Sequence, residues 1–122
     1  NGFPRGLNDD LPERQEPPEK YKYFEHAERN AIYNAARVGI PLKGCILVTH
    51  GTPCTDCARS VIQAGIVLVI AHKSWHDNPS EKWHADAKIS LTMLQECGIA
   101  FEEWSGELWG PEITQDGNKR RW

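Results

Sequence analysis

The chain has 122 residues, 39% of them hydrophobic and 25% charged, with a formal net charge of −3 and a pI near 5.9. That length fits one compact domain with an ordinary core, and no segment repeats at a fixed period. The acidic balance leaves no basic footprint for a long polyanion, so polymeric nucleic acid is an unsuitable ligand and a small molecule fits better.

Residues 1–25 carry Pro4, Pro12, Pro17 and Pro18 among charges and glycines, and read as a surface coil able to touch a ligand but unable to form core. From His26 to Val38 alanines recur at Ala27, Ala31 and Ala35 with Ile32 and Ala36 beside them, and Gly39 and Pro41 follow as a stop, so the spacing predicts a short buried helix. Cys45 to Thr49 suits a strand. Gly51-Thr52-Pro53 then turns into a second helix, with Thr52 as N-cap, Pro53 as its first residue and Val61 and Ile62 on the core face. Gly65 ends it, and Ile66 to Ala71 reads as an interior strand of a parallel sheet.

A loop holding Trp75, His76 and Asp77 leads to a third helix from about Ser80 to Cys97, with Ala85, Ile89 and Met93 spaced to face the core and Gly98 as its cap. Ile99 to Trp104 gives a third strand. The alternation predicts one α/β domain over residues 1–122, divided into an active-site loop (1–25), a metal-binding core (26–104) and a tail (105–122) that contains Pro111 and Lys119-Arg120-Arg121. The longest apolar run, Ala64 to Ala71, is too short to cross a bilayer, so no membrane partner is expected. Cys45 and Cys97 sit in apolar segments and Cys54 and Cys57 have metal spacing, which favours reduced thiols in a cytoplasmic protein. The turn-rich start Asn1-Gly2-Phe3-Pro4-Arg5-Gly6, with no element before it, reads as lacking an N-terminal piece.

Chemistry concentrates in two motifs, His26-Ala27-Glu28 and Pro53-Cys54-Thr55-Asp56-Cys57. One imidazole and two thiolates make three ligands, and zinc with three protein ligands keeps a position for water, whereas four ligands make a structural clamp. Cys54 and Cys57 are three apart at a helix start, where the positive helix end and the metal both favour thiolates. A neutral imidazole with two thiolates cancels the zinc charge and leaves a milder Lewis acid, so a nearby base is needed. Glu28, about 200° around the helix from His26, does not stack beside it as a fourth ligand but can reach the site with its longer arm and move protons. The competing reading is a binding domain with a structural zinc clip, because a Cys-x-x-Cys pair alone is common in structural and redox sites. His50, His72, His76 and His84 have no partner at ligand spacing.

At these residues the chain resembles the cytidine and deoxycytidylate deaminase superfamily, and within it the deoxycytidylate (dCMP) deaminases. Asn1-Gly-Phe-Pro-Arg-Gly6 looks like that branch's loop before the active site, Glu25-His-Ala-Glu-Arg-Asn-Ala-Ile32 like its first zinc helix, and Pro53-Cys-Thr-Asp-Cys-Ala58 with Ile62-Gln-Ala-Gly-Ile66 like its second; the match runs to about Trp104. The resemblance implies a three-layer α/β/α fold around a mixed five-stranded sheet, whose first helix and first two strands would precede Asn1. It further implies one catalytic Zn2+ per chain held by His26, Cys54 and Cys57, with Glu28 shuttling protons during hydrolysis of dCMP to dUMP and ammonia, the dUMP serving thymidylate synthesis. Asn1 matches an asparagine that hydrogen-bonds substrate, the Ala27 N–H faces the pyrimidine carbonyl, the Thr52 carbonyl receives the leaving amine, and Trp75 packs near the base. For the phosphate, Arg5 is the first choice among Arg5, Arg14, Lys20, Lys22 and Arg29.

The resemblance also implies a homo-oligomer, in relatives commonly a hexamer, with dCTP and dTTP as effectors, Mg2+ accompanying an effector nucleotide, and Arg37 on the helix segment where subunits meet. Two departures stand out. No cysteine or histidine lies between Gly6 and His26, so a second, structural zinc has no ligands there, and Val48-Thr49-His50-Gly51 stands where the family usually shows Tyr-Val-Thr. A tRNA adenosine deaminase shares both zinc motifs but calls for a basic face, and a free-cytidine deaminase typically places cysteine at the His26 position.

Overall fold

The computed structural model describes residues 1–74 and 81–107, apart from the Lys82 side chain, together with the backbone of 113–115 and 118–120. A 3-10 turn (Pro12–Arg14) precedes α1 (Lys20–Tyr23), α2 (Ala27–Val38), β1 (Ile46–Thr49), α3 (Thr55–Ala64), β2 (Leu68–His72), α4 (Glu81–Glu96) and β3 (Ala100–Trp104). A two-stranded antiparallel ladder of β4 (Ile113–Gln115) and β5 (Asn118–Arg120) follows.

Strands β1, β2 and β3 form a parallel sheet in that spatial order. Parallel neighbours need long crossovers, and α3 and α4 supply them, giving two successive βαβ units. The register sets Leu47 beside Val69 and Val69 beside Phe101, so one row of side chains runs across the sheet under the helices. Val69 packs there with Ala58 and Val61 of α3, Leu94 of α4 and Ile66, while Ile32 of α2 and Leu47 close the cluster. On the opposite face Ile46 and Val48 are 56% and 73% exposed. No described helix is long and apolar enough to cross a membrane.

Helix α2 ends at Gly39 and α3 at Gly65, both in the left-handed region that terminates helices. Gly65 is doubly constrained: its φ is +75°, and a Cβ there would lie 3.2 Å from the Lys43 Cα. The close approach lets the Gly44 N–H donate to the Gly65 carbonyl at 2.8 Å, which ties the end of α3 to the entry of β1.

Three expectations change. Residues 1–25 are not all coil: the 3-10 turn and α1 form, with the Lys20 N–H bonded to the Glu16 carbonyl at 2.9 Å and the Lys22 ammonium paired with Glu19. Helix α3 starts at Thr55 with Cys54 as N-cap, not at Pro53 after Thr52. The core face of α4 is Ala87, Ser90 and Leu94; Ile89 is 56% exposed and Ala85 is exposed too. A serine inside the buried stripe hides it from a hydrophobicity count, while Ala85 and Ile89 turn toward a cleft. Leu94 is fully buried at the centre of the core. Leu94→Ala is expected to cost about 3–5 kcal/mol in urea unfolding, with an unchanged m-value.

Candidate metal centre

The two motifs meet because α2 and α3 pack side by side with their starts together. His26 is the N-cap of α2 and Cys54 the N-cap of α3, each in extended backbone and neither capping its own helix through its side chain. Freed from capping, both side chains turn inward. The ligand atoms of His26, Cys54 and Cys57 all lie within 4.8 Å of one another. His26 Nδ1 is 3.4 Å from Cys54 Sγ and 3.6 Å from Cys57 Sγ. Zinc bonds of about 2.3 Å to sulfur and about 2.05 Å to nitrogen at the tetrahedral angle put N and S about 3.6 Å apart, so the donors stand at the edge length of a zinc tetrahedron. Two soft thiolates and an imidazole also suit zinc chemically.

Glu28, in the first turn of α2, reaches this cluster without being a fourth corner. Its Oε2 is 3.7 Å from Cys57 Sγ, and its Oε1 accepts from Thr49 Oγ1 at 3.4 Å at the end of β1. Arg29 lies on the next position, its side chain 17% exposed, with Nε on Glu25 and Nη1 3.3 Å from Asp56. Asp56 also pairs with Arg59, so a chain of alternating charge joins α2 to α3 beside the ligands.

The caps that His26 and Cys54 do not provide come from distant residues. The Ala27 N–H donates to Asn1 Oδ1 at 2.8 Å, across 26 residues. Gly2 and Glu25 exchange two backbone bonds of 3.0 and 2.8 Å that hold Asn1 at that place, and Phe3 packs on Phe24 with ring centroids 4.4 Å apart. At α3, the Thr55 N–H donates to Asp86 Oδ2 at 2.9 Å and Thr55 Oγ1 to Asp86 Oδ1 at 3.0 Å, across 31 residues. Thr52, the expected cap, is buried and its hydroxyl has no hydrogen-bond partner among the described residues.

A cleft of about 750 Å³ opens beside the ligands, lined among others by Asn1, Lys20, Phe24, Arg29, Trp83 and Asp86, with His26 and Cys54 at its wall. Of the expected substrate contacts, Asn1 lines this cleft and Ala27 sits at the start of α2 beside it, while Thr52 immediately precedes the Pro53-Cys54 turn. Arg5 is instead bonded to Asn34 on α2, and Arg37 is exposed in the last turn of that helix. Trp75 lies outside the described residues. Sequence reasoning missed Trp83 and Asp86, both on α4; their i, i+3 spacing marks a shared face but no motif flags it.

The thiol pair is polarised. The hydrogen bond from Cys57 pulls Cys54 down to about 4, helped by His26, while the same bond, burial and the Glu28 charge push Cys57 above its usual range. His26 is raised above its ordinary 6.5, first by its hydrogen bond with Cys54 and against the effect of burial. The metal-free site therefore holds one proton on the sulfur pair through neutral pH, and a second on the ring below the raised His26 value. A divalent ion must displace both classes of proton. Zinc affinity is expected to rise about tenfold per pH unit above the His26 value and about a hundredfold per unit below it. Chelator competition from about pH 5.5 to about 8.5 measures that break in slope.

Comparison with known proteins agrees with this geometry. Residues 8–73 match the family described as the cytidine and deoxycytidylate deaminase zinc-binding region. The deoxycytidylate deaminase of Mus musculus is 40% identical over 112 residues, which cover 86% of this chain and 58% of that protein. The Homo sapiens deoxycytidylate deaminase is 34% identical over 110 residues, covering 85% of this chain and 57% of the relative, so the chain spans a little over half the length of these proteins. The apo dCMP deaminase of cyanophage S-TIM5 superposes with a TM-score of 0.60 at 25% identity, covering 85% of this chain and 67% of that one. With more than half of its residues inside the family match and the His/Cys/Cys cluster assembled, the chain belongs to the cytidine and deoxycytidylate deaminase family.

Proposed function

We propose that this chain carries the catalytic site of a zinc-dependent deaminase that hydrolyses dCMP to dUMP and ammonia, supplying dUMP for thymidylate synthesis. The observation that carries the reading is a set of three donors, within 4.8 Å of one another and with N–S separations of 3.4 and 3.6 Å, with the carboxylate of Glu28 outside that set and 3.7 Å from one of its sulfurs. His26, Cys54 and Cys57 would hold the ion, which when bound supplies the acidification of water that makes a nucleophile available near neutral pH. The remaining work falls to the chain itself. Glu28 takes one proton of the attacking water and delivers it to the ring nitrogen N3, where it stays, then takes the second from the new C4 hydroxyl and gives it to the departing amine, so that a C4=O bond replaces the C4–N bond and ammonia leaves.

Asn1 is assigned a hydrogen bond to the substrate, the Ala27 N–H the pyrimidine carbonyl, the Thr52 carbonyl the leaving amine, and Trp75 a place near the base. The Ala27 N–H is already engaged by Asn1, so a substrate carbonyl must share or displace that bond. A phosphate finds Lys20 and Arg29 on the cleft wall, with Arg5 as the third cation of the entering loop. The names of the mouse and human relatives favour the deoxynucleotide over a free base. We extend the proposal to a single domain over residues 1–122, to a cytoplasmic setting for its four unpaired cysteines, and to a homo-oligomer. A hexamer with Arg37 at the subunit contact, and dCTP and dTTP effectors with Mg2+, complete it.

Purified full-length protein offered dCMP, dCTP, cytidine, cytosine and a tRNA anticodon loop is expected to release ammonia from dCMP, and turnover of the tRNA alone overturns the substrate. Glu28→Gln is expected to keep its zinc and lose about 10²- to 10⁴-fold in kcat. Full activity in that variant removes the proton shuttle.

A further inference from the structure

We propose that Asp86 is a positioning residue that sets the geometry of the Cys54–Cys57 half of the metal site from outside it; this rests on the reading of His26, Cys54 and Cys57 as zinc ligands. The first amides of a helix have no partner within it, and an N-cap side chain ordinarily takes one. In α3 that position belongs to Cys54, whose Sγ points at His26 Nδ1, 3.4 Å away. The open donors fall to Asp86. Its two carboxylate oxygens take the Thr55 N–H at 2.9 Å and the Thr55 hydroxyl at 3.0 Å.

Thr55 is the residue next to Cys54 and two before Cys57, so a carboxylate gripping both its backbone and its side chain fixes the peptide from which one sulfur hangs. Two bonds determine direction as well as distance, which one cannot. Asp86 is itself held: its neighbours in α4, Ala87 and Ser90, are buried against the rest of the fold. The grip therefore transmits the placement of α4 to the thiol pair. A carboxylate carries the same sign of charge as a thiolate and offers it no electrostatic attraction. Its gain is thus one of position and not of charge, and the two are separable by substitution. Asparagine can accept from the Thr55 N–H and donate to the Thr55 hydroxyl, keeping both bonds without the charge.

The test is zinc affinity of the full chain by chelator competition, with cobalt substitution as a second readout. Asp86→Ala is expected to weaken zinc binding by about 10- to 100-fold, the range typical for partners that orient metal ligands. At saturating cobalt it is expected to shift the thiolate charge-transfer and visible bands that report the metal's geometry. Asp86→Asn is expected to recover the larger part of that loss, and Thr55→Val, which removes one arm only, to fall between. Leu94→Ala, which loosens the α3–α4 packing but leaves both Thr55 bonds in place, serves as the control for lost stability and is expected to weaken zinc binding far less than Asp86→Ala. If Asp86→Ala binds zinc like the parent with unaltered cobalt bands, or if Leu94→Ala weakens binding as much, Asp86 is an ordinary helix cap and the proposal is overturned. Should Asp86→Ala fail to fold, Thr55→Val decides: weakened zinc binding with shifted cobalt bands supports the proposal, and parent-like binding with unaltered bands overturns it. A parent chain that takes up no zinc overturns the ligand assignment itself, whereas a zinc-binding parent with indifferent variants overturns only this inference.

Discussion

The interaction on which the site depends is the surrender of two helix caps. A residue at an N-cap has its side chain close to the first turn's open amides and, left alone, bonds them. Histidine and cysteine are poor caps, and at His26 and Cys54 the side chains face each other across the gap between α2 and α3. The cost of four open amides at each helix start falls on other parts of the chain. Asn1 and Asp86 meet part of it, one from the entering loop and one from α4. The open helix starts thereby draw in two segments distant in sequence, the entering loop and α4.

Packing makes that arrangement stiff. Cys57 is fully buried, one turn before Val61 and beside Ala58, so the sulfur that lies deepest shares its helix face with the core. Any shift of α3 that opened the sulfur pair would also open contacts to Val69 and Leu94, and Gly65 fixes the far end of the helix against Lys43. Electrostatics works in the same direction across the near end. Arg29 reaches Glu25 on its own side and Asp56 on the other, so a positive charge sits between the helix starts beside two sulfurs. The residual proton shared by the sulfurs marks the place that a dication takes over.

Much of this was legible in the sequence, and what was hidden was hidden for physical reasons. The helices over 26–38 and 52–64 and the strands between them follow from alanine spacing, β-branched runs and the glycines at 39 and 65, because those signals act within a few residues. The meeting of His26, Cys54 and Cys57 was readable because two short motifs each sit at a helix start. The cap at α3 was not. Thr52 followed by Pro53 looks like a helix start by local rules, but Cys54 and Thr55 begin the helix and the capping group lies 31 residues away. The α4 face was misjudged on similar grounds: Ala85, Ile89 and Met93 have core spacing, yet a row containing Ser90 is buried and Ala85 and Ile89 border the cleft. Apolar spacing reports that a face is dry, not whether it meets protein or ligand.

That cleft shows how the pieces constrain a ligand. Trp83, Ala85 and Ile89 from α4 and Phe24 from the end of the entering loop all line it, so a flat apolar body finds aromatic and aliphatic surface there. Lys20 lies over the Phe24 ring, its ammonium 5.3 Å from the centroid, and Arg29 lines the same space, so an anionic group has cations within it. His26 and Cys54 belong to the same lining, and the Ala27 N–H next to His26 is held by Asn1. The lining is compatible with a ring that bears an acidic extension, and a ligand group that takes the amide at the start of α2 competes with Asn1 for it. That hydrogen bond holds the entering loop against the start of α2 with Asn1 in the lining, so the loop is a part of the cleft and not a cover over it.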